Sequence, residues 1–173
     1  MWTMKRILVP TDFSKGSERA LEAAITVAQK FDAAIVLMHA YHVPLYPYPT
    51  VSAANVTPLD IVEHIEKGAR TALATAAATH GGSGVRISSV LTAGIPWEQI
   101  IRTAREVEAG LIVIGSRGLR GLPRALLGST AERVVRYSPI PVMAFHGPLP
   151  VSDEDRAAEG TKAANELVDR WLI

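Results

Sequence analysis

Five short apolar runs, separated by stretches with helical spacing, leave this chain few architectures to adopt. Ile7-Leu8-Val9, Ile35-Val36-Leu37-Met38, Leu111-Ile112-Val113-Ile114 and Val142-Met143-Ala144-Phe145 read as strands without polar alternation, expected to be buried. Val85 to Ala93 alternates loosely, as a strand nearer a sheet edge does. Between the strands, Ala20, Leu21, Ala24, Ile25, Val27 and Ala28 recur at helical spacing, as do Ile100, Ile101, Ala104 and Val107. Such alternation builds an α/β fold, a parallel sheet with helices on both faces joined by right-handed crossovers.

Local signals mark the boundaries. Pro10 ends the first strand and Thr11-Asp12-Phe13-Ser14 forms a strand-to-helix loop, with Ser14 as N-cap of the first helix. His39 falls near the carboxyl end of the second strand, where a hydrogen-bonded structural role is expected. Residues Tyr41 to Val56 are rich in proline and tyrosine and read as an irregular surface loop and candidate lid. Thr57-Pro58-Leu59-Asp60 opens a long helix to about Thr79, ended by His80-Gly81-Gly82-Ser83-Gly84. Gly94-Ile95-Pro96 launches the next helix, and Ser138-Pro139-Ile140-Pro141 breaks the one before the fifth strand.

A chain of 173 residues with 48% hydrophobic content supports one α/β domain with a substantial core. A net charge of +1 provides no field that would favour nucleic acid or a membrane surface as partner. The absence of cysteine excludes disulfides and thiolate metal sites. Neither a signal-peptide pattern nor a membrane-length apolar window is present, and a cytoplasmic protein is the expectation.

The stretch Gly115 to Ser129 follows the fourth strand directly. Gly115 and Gly118 allow positive φ and close approach to a ligand, because no Cβ intervenes. Gly128-Ser129 opens a helical pattern, and the first amides of a helix lack internal partners and suit phosphate. The same residues also read as a plain loop. Ser129-Thr130-Ala131-Glu132 has the form of a capping box, glycines are common turn residues, and Arg117, Arg120 and Arg124 fit a solvated face.

As a whole, Gly115-x2-Gly118-x9-Gly128-Ser129 resembles the nucleotide-binding signature of the universal stress protein family, G-x2-G-x9-G-[S/T], and its ATP-binding subgroup in particular. The resemblance extends over Lys5 to Phe145, through Ile-Leu-Val-Pro-Thr-Asp-Phe-Ser, Leu-Met-His-Ala and Gly94-x-Pro96. It implies a Rossmann-like adenine-nucleotide-binding fold with strand order 3-2-1-4-5, in which the Asp12 and Gly115 loops share a crevice at the strands' carboxyl ends. By the same resemblance the site comprises Pro10, Thr11, Asp12, Ala40, Ile114, Gly115, Arg117, Gly118, Gly128, Ser129 and Thr130. Asp12 is to accept ribose hydroxyls, Ala40 to contact adenine through its backbone, and Ile114 to pack on the base. Gly115 and Gly118 are to cradle phosphates, with Gly128, Ser129 and Thr130 donating to the terminal ones. Helix capping is the alternative role for Asp12.

The implied ligand is ATP, with Mg2+ or Mn2+ held through the phosphates. A homodimer through the fifth strand, an adenine nucleotide and an unknown protein are the implied partners. Ile95 and Trp97 depart from the family, standing where an acid and a small residue are common. Residues 1–147 form the expected nucleotide-binding domain. Residues 148–173 form an acidic tail of net charge −3, whose Ala157, Ala164, Leu167, Val168 and Trp171 fit an amphipathic C-terminal helix. Three readings follow: a nucleotide-dependent stress regulator, a slow ATPase or phosphotransferase using the same pocket, and a nucleotide-independent dimeric module. The absence of a Walker A lysine and of a kinase-like motif set disfavours the second.

Overall fold

The computed structural model describes residues 4–41, 58–116 and 127–145. The proline- and tyrosine-rich loop beyond Tyr41, the arginines 117, 120 and 124, Gly118 and the acidic tail lie outside them. The elements are β1 (Arg6–Pro10), α1 (Lys15–Phe31), β2 (Ala34–Tyr41), α2 (Pro58–Thr79), β3 (Ile87–Ala93), α3 (Pro96–Glu106), β4 (Leu111–Gly115), α4 (Ser129–Tyr137) and β5 (Val142–Phe145). One five-stranded sheet results, in the order β3-β2-β1-β4-β5, with every pairing parallel.

Alternate residues of each strand point to opposite faces, and both faces are apolar. Ile7 and Val9 of β1, Ile35 and Leu37 of β2, and Leu111 and Val113 of β4 pack against Ala20, Leu21, Ala24 and Ile25 of α1 and Leu73 of α2. Leu8, Met38, Ile112 and Ile114 meet Ile100 and Ala104 of α3 and Ala131 and Val134 of α4 on the other face. The central strands therefore need near-continuous apolar sequence, which explains their missing alternation. At the edge, β3 leaves Ser88 and Ser89 exposed, as its looser pattern suggests.

Helix ends follow local chemistry. Ser14 is the N-cap of α1 and its side chain accepts from the Ser17 amide, while Asp32 closes the helix in the left-handed region. Pro96 occupies the first turn of α3, where a missing N–H costs nothing. At α4 the expectation from the capping box is overturned: the N-cap is Gly128, Ser129 is already helical, and no side chain caps the end. Glu132 bonds Arg136 one turn on instead, at 2.7 Å.

Candidate functional site

Strand order reverses at β1, whose neighbours β2 and β4 continue in opposite directions across the sheet. Register pairs between β1 and β4 run Ile7↔Leu111 and Leu8↔Ile112, while β1 goes on to Pro10 and β4 to Gly115. The loops leaving these two strands thus flank one crevice, the usual ligand position in sheets of this kind.

On the β1 side, hydrogen bonds fix the loop in detail. The Thr11 amide donates to Met38 O at 2.8 Å, extending the ladder with β2. Thr11 Oγ1 accepts from the Phe13 amide at 3.0 Å and shares a hydrogen with Ser17 Oγ, also at 3.0 Å. Because Thr11 O can only accept, His39 Nδ1 carries the proton in their 2.7 Å contact, so His39 holds the structural role its position suggested. Pro10 is buried at the end of β1. Pro10 and Thr11 thus form the frame that presents the next residue.

That residue, Asp12, is half-buried, and its Oδ1 accepts from the Ser14 amide at 3.1 Å and from Ser14 Oγ at 2.5 Å. Ser14 caps α1 while Asp12 orients Ser14, so the alternative reading of Asp12 as the cap does not hold. Phe13 takes φ 61°, a left-handed conformation that costs a bulky residue roughly 1–2 kcal/mol. Its ring lies 4.5 Å from the His39 imidazole, and Phe13 remains 39% exposed.

On the β4 side, Gly115 differs from the sequence expectation. The described glycines with positive φ are Gly84 and Gly94; Gly115 is extended within β4. A Cβ there would stand 2.8 Å from Gly16 O and 3.1 Å from the Ser17 amide nitrogen. Its missing side chain lets β4 pack onto the first turn of α1, so it holds the two loops together. Ser116 donates its amide to Phe145 O at 2.8 Å, and its own carbonyl accepts from the Gly128 amide at 2.6 Å. The signature segment therefore leaves and re-enters at the same point, and the Gly128 amide, expected to serve a phosphate, is used for this closure.

Ser129 and Thr130, the first two residues of α4, follow directly, and helix geometry gives their amides no intrahelical acceptor. Ile114 is buried on the α3/α4 face, and Ala40 lies on the same face near the end of β2. Beside Ala40, the Tyr41 hydroxyl donates to Glu66 Oε2 at 3.4 Å. Burial, reinforced by the Glu66 carboxylate, raises the phenol above its ordinary pKa. The described part of the site is thus one short crevice between an aspartate-bearing loop and a helix N-terminus. Sequence reasoning missed Gly16 and Ser17; the only signal was a small pair in the first turn of a helix that starts at the site.

The sequence model of the universal stress protein family matches residues 3–146. The chain belongs to the universal stress protein family. A universal stress protein of Methanocaldococcus jannaschii is 35% identical over 144 residues, covering 83% of each chain. The solved universal stress protein UspA from Lactobacillus plantarum is 26% identical with a TM-score of 0.65, covering 83% of this chain and 99% of its own. A universal stress protein solved in complex with cAMP is likewise 26% identical, with a TM-score of 0.60 and coverage of 83% and 98%. The universal stress protein fold, with strand order 3-2-1-4-5, is what the structure shows. Among its described residues no helix is long and apolar enough to cross a membrane.

Proposed function

We propose that this universal stress protein is a cytoplasmic, nucleotide-dependent regulator that binds ATP in the β1/β4 crevice. The observation that carries the reading is the contact of Gly115 with Gly16, which brings the Asp12 loop against the strand that launches the signature segment. Asp12 suits a ribose diol, since a carboxylate accepts two O–H donors. The Ser129 and Thr130 amides and hydroxyls suit the terminal phosphates at a positive helix end. Pro10 and Thr11 frame the sugar, Ala40 and Ile114 border the base, Arg117 and Gly118 complete the site, and Gly115 and Gly128 hold its loops together. The relative solved with cAMP supports an adenine nucleotide as the ligand class.

These protein groups are mainly amide and hydroxyl donors, so Mg2+ or Mn2+ fits as an ion held by phosphate oxygens and water. When bound, it neutralises phosphate charge. The domain is proposed to end near residue 147, close to the end of the family match, with the acidic tail beyond. β5 lies at the sheet edge with Met143 39% exposed, which supports a homodimer through that strand.

Thermal melting with and without Mg-ATP tests the reading. A ligand at 100 times its Kd adds roughly 2.7 kcal/mol of stability, so millimolar nucleotide is expected to raise Tm by several degrees. No shift at that concentration would overturn ATP binding.

A further inference from the structure

The opposite end of the sheet carries charge that the nucleotide reading does not use. There a concavity of about 780 Å3, within the roughly 300–1,000 Å3 of small-molecule sites, is lined in part by Lys5, Arg6, Arg86, Ser88 and Glu108. Lys5 precedes β1 and Arg86 precedes β3, one on each side of the start of β2. The Ala34 amide donates to Lys5 O at 2.9 Å and the Ile35 amide to Arg86 O at 2.8 Å. Two strand spacings of about 4.8 Å separate the two backbones, a distance that a lysine and an arginine side chain can close over the small Ala34.

Charge here is only partly compensated. Arg6 Nη1 donates to Val107 O at 2.9 Å, neutralising the carboxyl end of α3, and lies 3.4 Å from Glu108 Oε2. Lys5 and Arg86 form no side-chain hydrogen bond or ion pair among the described residues. The Ser88 hydroxyl donates to Ile35 O over 3.4 Å, a bond long enough to be exchanged for a better acceptor. Beside the Arg6–Glu108 pair, the wall adds one fork-shaped cation, one point charge and a hydroxyl, a set that matches a tetrahedral oxyanion.

We propose that this amino-end concavity is a second anion site, which binds a small molecule through a phosphate group held by Lys5, Arg86 and Ser88. It lies a full strand length, about 17 Å at 3.3–3.4 Å per residue, from the nucleotide crevice and does not depend on that crevice being occupied.

Amide NMR shifts of the full-length protein, titrated with pyrophosphate at constant ionic strength, test this. Pyrophosphate is expected to shift residues 5–6, 86–88 and 108, and the K5Q/R86Q double variant to bind at least tenfold more weakly. Both side chains are exposed, so the variant keeps its fold, which its unperturbed core amides verify. A parallel ATP titration reports separately on Asp12 and Ser129, so failure of either site is distinguishable from failure of the other. The proposal is overturned if pyrophosphate moves only carboxyl-end amides, if chloride at matched ionic strength gives the same shifts, or if the double variant binds as tightly as the parent.

Discussion

A single missing side chain at position 115 sets how close the two halves of the crevice come. Replacing Gly115 by alanine would press a Cβ against the Gly16 carbonyl at 2.8 Å, and because the obstacle is backbone, strand or helix must move. A loss of about 1–3 kcal/mol is expected, as for other overpacked cores, readable as a lower urea midpoint. His39→Ala removes the donor to Thr11 O and the partner of the Phe13 ring. It is expected to cost roughly 1–3 kcal/mol and to weaken nucleotide binding measured by calorimetry, since Thr11 frames Asp12. At this scale the sequence was informative in part. The glycine signature marked the right segment, but Gly115's packing depends on a contact with Gly16, about a hundred positions away, and Gly128's loop closure on a bond to Ser116, about twelve positions away. Beyond the small Gly16-Ser17 pair, neither partner carries a local signal.

At the level of elements, the start of α1 combines two tasks in one serine. Ser14 caps the helix and also donates to Asp12. Ser14→Ala is expected to cost about 1 kcal/mol of stability and, beyond that, several-fold in ATP affinity by removing the hydroxyl that helps orient the Asp12 carboxylate. Ser14→Gly is expected to preserve most of the helix end while losing the same affinity, so denaturation and calorimetry on both variants separate the tasks. The elements were legible because propensity, caps and breakers agreed: Pro10, Ser14, Pro58 and Pro96 each stand at a boundary. At α4 the alternative reading of Ser129 as a capping-box residue does not hold, because Gly128 is the N-cap and bonds back to Ser116.

For the molecule as a whole, strand order came from family likeness, since apolar runs announce strands without saying which neighbours they choose. The central layer admits little change. Ile112→Ala, at a fully buried position in β4, is expected to cost about 2–5 kcal/mol, seen as a lower melting temperature. The central strand, β1, precedes the other four in the chain, and it pairs with residues 111 and 112 on one side. During synthesis its edge towards β4 must wait for about a hundred further residues to emerge, a long loop closure of the kind that slows folding. Until then the ribosome-bound intermediate exposes one unpaired edge of an apolar strand, and chaperone capture should be strongest in that interval and end once β4 docks.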